Sequence, residues 1–109
     1  MIKVTFFEDP SGSYKGYEIS GHANFKEAGS DIICSAVSVL GINTANTLEE
    51  AAAIPVKTTC EEGYLKVMLP EKLTKAQQHD AQLLLESLRL GLVSIQKSYG
   101  FKYLELTTF

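Results

Sequence analysis

The segment from Thr74 to Gly100 constrains this chain more than any other. Thr74 followed by Gln77 is a capping-box pattern, and Gly100 is a natural stop, so one long helix is predicted between them. Its second half carries Leu83, Leu84, Leu85, Leu88, Leu90, Leu92, Val93 and Ile95, which surround most of the helix rather than forming one stripe. A helix apolar on more than one side needs more than one buried contact. One side can cover a sheet, and the other can meet a second subunit. The 109 residues fit a single compact domain, residues 1–109, and small domains commonly gain burial by oligomerising.

The rest of the chain supplies a sheet. Ile2, Val4 and Phe6 alternate with Lys3 and Thr5, the pattern of a half-buried strand. Asp9-Pro10-Ser11-Gly12-Ser13 breaks it as a turn, and a second strand from Tyr14 to about Ser20 completes a hairpin. From Gly21 to Ser30 the periodicity disappears, so a loop is expected. Ser30 and Asp31 are good N-cap residues for a helix carrying Ile33, Ala36, Val37 and Leu40, running to about Ala53 before Pro55. Val56–Glu61 and Tyr64–Leu69 read as a second hairpin around Glu62-Gly63, and Phe101 to Phe109 as a last strand. The order ββαββαβ predicts an α+β fold, two helices on a mostly antiparallel sheet.

Charge and composition narrow the function. The formal net charge is −3 with ten Lys+Arg, and the lysines are scattered, as at Lys3, Lys15 and Lys26. Nucleic-acid binding draws on clustered cations neutralising phosphates, so no direct nucleic-acid partner is expected. No apolar run reaches the length of a membrane span, and Met1 to Glu8 lacks secretory signal architecture, so the expected location is cytoplasmic, without a membrane partner. There the two cysteines are expected as free thiols. Two histidines and two dispersed cysteines lack metal-ligand spacing, and no glycine-rich phosphate loop occurs, so neither metal nor cofactor is expected.

One constellation can do chemistry. Cys34 falls three or four residues inside the expected helix start. Unpaired amides and the positive end of the helix dipole favour a thiolate there and can hold an oxyanion. His22 closes the preceding strand, and a Cys–His pair is the minimal apparatus for thiol acyl chemistry. On these residues alone the catalytic signal is weak, because a free cysteine more often serves as a small buried filler. Asp31 can orient His22 or simply cap the helix, and Ser38 can hydrogen-bond in the site or just pack. Gly21 and Gly29 suit the hinges of a closing loop or ordinary turns. Cys60, on a predicted strand without a neighbouring histidine, is expected to be structural, and His79 to be solvated.

Gly21-His22-Ala23, a loop, then Gly29-Ser30-Asp31-Ile32-Ile33-Cys34-Ser35-Ala36-Val37-Ser38 resembles the ribosomal-processing cysteine protease family, Prp. The resemblance covers essentially the whole chain. It implies a catalytic dyad of His22 and Cys34, with Asp31 and Ser38 near the site and residues 22–30 as a mobile substrate loop. It further implies a cytoplasmic homodimer that removes the short N-terminal extension of the bacterial large-subunit ribosomal protein numbered twenty-seven, after an aromatic-containing segment. Ser35 departs from the family's usual alanine after the cysteine. Two other functions fit the same residues. A non-enzymatic dimeric module binding a ribosomal or assembly protein would keep Cys34 slow to alkylate. A thiol redox or acyl-transfer enzyme would be reactive without cutting peptides.

Overall fold

The computed structural model describes residues 1–21 and 30–109, with Ser30 and Asp31 described by their backbone alone. His22, Gly29 and the rest of the expected loop up to residue 29 lie outside the described residues, as does the side chain of Asp31.

β1 (Ile2–Glu8) and β2 (Tyr14–Ser20) form an antiparallel hairpin. Its turn is built by Asp9, whose carboxylate accepts from the amides of Ser11 at 2.9 Å and Ser13 at 3.0 Å. After α1 (Ser30–Glu50), β3 (Lys57–Glu61) and β4 (Tyr64–Met68) pair antiparallel, and α2 (Lys75–Tyr99) leads to β5 (Leu104–Thr108). The sheet order is β3-β4-β2-β1-β5. Among the described residues only the β1–β5 pairing is parallel, because α2 carries the chain from β4 across the sheet to the far edge. The expected ββαββαβ order and mostly antiparallel sheet are what the chain adopts.

Alternation decides the faces. Ile2, Val4 and Phe6 of β1, Tyr17 and Ile19 of β2, and Leu65 and Val67 of β4 are buried. They meet Ile33, Val37 and Leu48 of α1 and Ala81, Leu85, Leu88 and Leu92 of α2. Each Val, Leu, Ile or Phe side chain among them contributes about 1.5–3 kcal/mol when fully buried. α2 therefore buries one stripe, while Leu83 and Leu90 on its outer side stay 62% and 53% exposed. Gly91 lets the two helices close up, since a Cβ there would lie 3.1 Å from a Leu40 methyl.

Two boundaries differ from the sequence expectation. α1 stops at Glu50 rather than near Ala53, because Ala53 takes a positive φ of 55° and Ile54 turns into the core. β5 starts at Leu104 rather than Phe101, after a turn whose Tyr103 carbonyl accepts from the Ile2 amide at 2.9 Å. A third correction concerns hydropathy. Ile32–Glu50 is long and apolar enough, by length and composition, to cross a membrane. Core helices of soluble proteins pass the same test, and this helix lays Ile33, Val37, Ala45 and Leu48 onto the sheet.

Candidate active site

The position of α1 is set by two residues of β2. The buried Tyr17 hydroxyl donates to the Gly41 carbonyl at 2.7 Å, and burial pushes its pKa well above the ordinary tyrosine value. Gly41 is required for the close approach. A Cβ there would lie 2.6 Å from the terminal methyl of Ile19 and 3.1 Å from a methyl of Leu65. Cys34 precedes Gly41 by nearly two full turns, so it sits on the same side of the helix, about 10 Å nearer the N-terminus.

Cys34 is half-buried and is the fifth residue of α1. It thus opens the second turn rather than lying within the first. In a helix beginning at Ser30 the amides without an intrahelical acceptor include those of residues 30–32, just before it. Helical side chains lean toward the N-terminus, which directs the thiol back toward those amides. Ser35, where the resembled family has alanine, is exposed.

A cleft of about 140 Å³ opens beside Cys34. Ser38 and Ile42 line it from α1, Gly21 from the end of β2, and Cys60, Gly63 and Leu65 from the β3–β4 hairpin. Of the expected site residues, the structure therefore brings Cys34, Ser38 and Gly21 together. Gly21 has a conformational reason to be glycine. Its φ is +90°, and a Cβ would lie 2.6 Å from the Met1 carbonyl oxygen. Its amide donates to the Gly63 carbonyl at 2.9 Å, tying the exit of β2 to the hairpin.

Cys60 corrects the sequence reading. It is exposed, and it lines the same cleft as Cys34. In register it stands opposite Leu65, and directly opposed residues share a sheet face. Leu65 is buried toward the helices, so Cys60 points to the helix side, at an edge the helices leave uncovered. Both cysteines are thiols. Ile42 was likewise missed, although its helical spacing of eight residues from Cys34 could have found it, whereas no sequence spacing relates Gly63 and Leu65 to Cys34. Only the β2–β4–β3 register does. His79, expected to be solvated, is exposed on α2, 3.4 Å from the Asp80 carboxylate. Among the described residues no three His, Cys, Asp or Glu side chains gather as a metal site would require.

A thiol near the head of a long helix, facing a cleft lined by apolar residues together with Ser38, Glu61 and Tyr64 and with an edge hairpin opposite, is suited to attack on a carbonyl held in that cleft. The chain is similar to known proteins in sequence and in fold. A family model described as Cysteine protease Prp matches residues 1–104. Over 101 residues the chain is 31% identical to the ribosomal processing cysteine protease Prp of Bacillus subtilis (strain 168), covering 91% of this chain and 90% of that protein. The structure of SMU.848 from Streptococcus mutans is similar at 34% identity, with a TM-score of 0.79 and coverage of 100% of this chain and 96% of that one. The ribosomal processing protease Prp from S. aureus, solved in complex with a substrate peptide, shares the fold. Its TM-score is 0.85 at 20% identity, with both chains covered completely.

Proposed function

Because the chain belongs to the cysteine protease Prp family and is a cysteine endopeptidase, we propose that Cys34 is its nucleophile and His22 its general base. Its substrate in this reading is the N-terminal extension of the bacterial large-subunit ribosomal protein numbered twenty-seven. The observation that carries the assignment is the cleft in which Cys34, at the head of α1, faces the β3–β4 hairpin. His22 follows Gly21 directly in the chain, and Gly21 lines that cleft.

The chemistry then runs as a thiol acyl transfer. His22 takes the Cys34 proton, and the thiolate attacks the scissile carbonyl to form a tetrahedral oxyanion. Amides at the start of α1 hold that oxyanion. His22 returns the proton to the leaving amine, and water releases the acyl group from the sulfur. Asp31 either orients His22 or complements the helix dipole, and Ser38 lies one turn beyond Cys34 on the cleft wall. Apolar lining by Ile42 and Leu65 suits an aromatic side chain of the substrate. Residues 22–30 are proposed as the loop that closes over it, with Gly21 and Gly29 at its ends. The enzyme acts in the cytoplasm as a homodimer in this reading. The exposed Ile32, Val39, Leu83 and Leu90 on the outer sides of the helices support a second subunit there.

The test is intact-mass analysis of the extended ribosomal protein after incubation with the wild-type chain and with Cys34→Ala. Discrete loss of the extension with wild type alone is the expected result. An intact substrate in both reactions, with the wild-type chain folded and Cys34 slow to alkylate, would sink the assignment.

A further inference from the structure

The Cys34 cleft does not end at the hairpin. A second recess of about 270 Å³ continues between α1 and the edge strand β3, where Ala45, Asn46 and Glu49 face Thr58. The two recesses share Ile42, Cys60 and Leu65, so they form one trough leading away from Cys34. Between Cys34 and Glu49 α1 rises about 22 Å. That is the span of about six or seven residues of extended chain at about 3.3 Å each.

The far wall of the trough is a sheet edge. Among the described residues β3 has one strand neighbour, β4, and all its residues from Lys57 to Glu61 are exposed. Its register with β4 is regular throughout, whereas the β1–β2 pairing shifts between Phe7 and Glu8. A regular, exposed edge presents a row of backbone N–H and C=O groups to any extended chain laid beside it. The spacing also matches. Same-side residues of a strand recur about every 6.6 Å, close to the roughly 5.4 Å turn of the helix opposite. Every second side chain of an added strand therefore meets about one turn of α1, past Ser38, Ile42 and Ala45 in succession.

We propose that the polypeptide substrate lies along this trough as a sixth strand on the β3 edge, its main chain bonded to β3 and its alternate side chains turned past Thr58 and Cys60 toward Ile42 and Ala45. The inference rests on the protease reading above, to which it adds a mode of recognition. Hydrogen bonds from the edge strand supply affinity that is independent of side-chain identity, and the trough reads every second residue. Contacts this far from the sulfur fix the scissile bond in place before attack.

Cys60 provides the probe, because Cys34→Ala leaves it as the sole cysteine, half-way along the trough. The experiment uses the full chain carrying Cys34→Ala, or Cys34→Ser if the alanine variant fails to fold. The ligand is a synthetic peptide comprising the proposed N-terminal extension and the residues just beyond it. Maleimide labelling of Cys60 is followed by intact mass. Peptide at ten times its Kd should slow labelling by about tenfold. Single N-methylation along the peptide backbone should then weaken binding at alternate positions, each by about 2–10-fold for one lost hydrogen bond. If wild type cleaves the peptide while Cys60 labels at its free rate, the trough is not the path and the protease assignment survives alone. Protection without a period of two in the methylation scan would overturn the added strand. A peptide that is neither bound nor cut would remove this inference together with the assignment it rests on.

Discussion

α1 and α2 lie side by side on the same face of the sheet, yet they are held by different means. α2 is pinned by polar contacts along its length. Thr74 and Gln77 close a capping box, and Gln77 also donates to the Ala53 carbonyl at 2.9 Å. Gln82 clamps the Tyr14 backbone in both directions, at 2.7 and 2.9 Å. Glu86 accepts from the Tyr14 hydroxyl and from Arg89, and the buried Gln96 donates to the Leu104 carbonyl. α1 instead owes its place to shape, through Gly41 seated on Ile19 and the Tyr17 hydroxyl at the Gly41 carbonyl. The pinned helix is scaffold. The helix seated by close approaches at Gly41 and Gly91 keeps a long side open toward β3, and that side carries the nucleophile proposed here.

The largest effect is expected in the core of α2. Leu85→Ala, at a fully buried site, should lower stability by about 2–5 kcal/mol in urea unfolding, while the folded fraction keeps its cleavage rate. Loss of specific activity in the folded fraction would mean that α2 shapes the site after all. Gly41→Ala should cost about 1–3 kcal/mol by overpacking, since the nearest atom it meets is the flexible end of Ile19. Unlike Leu85→Ala it should also shift KM or kcat, because α1 must lift from β2 and β4 and carry Cys34 with it. An unchanged steady-state profile would show that the cleft tolerates movement of α1.

Thr74→Ala should remove about 1 kcal/mol through the lost cap, read as a lower thermal midpoint with activity untouched. The smallest effect concerns pH. Hydrogen bonds from Arg89 and Tyr14 hold the Glu86 carboxyl down to about 2, from an ordinary 4.5. Its folded pKa is depressed, so its stabilisation is present above pH 4.5 and is lost as the pH falls through about 2. Wild type should therefore outlast Glu86→Gln slightly at pH 6 in thermal melts, and the gap should close on acidification. A gap that stays constant to pH 2 would show that the α2 pin does not depend on the charge.

Much of the fold was legible from local pattern. Alternation at Ile2, Val4 and Phe6 gave β1 and its buried face, and Thr74 with Gln77 marked the start of α2 to the residue. The boundaries that slipped, at Ala53 and Phe101, lie where burial of Ile54 and pairing of Leu104 with Ile2 override helical or strand pattern. In the site, the motif singled out Cys34, and the structure sets Ser38 and Gly21 around the same cleft. Cys60 was set aside because its one informative neighbour, Leu65, is related to it by strand register.

By itself the sequence determined the element order, the apolar faces and the motif that marks Cys34. These depend on residue type and on spacings of two or of three to four residues, which short-range backbone geometry converts directly into faces. Tertiary structure alone decided that β3 is an edge, that Cys60 shares a cleft with Cys34, and that α1 and β3 bound a trough. Those facts depend on which distant segments pair and in what register, and on how closely Gly41 lets a helix approach a sheet. Such relations come from burying the whole core at once, and no local stretch of the chain contains them.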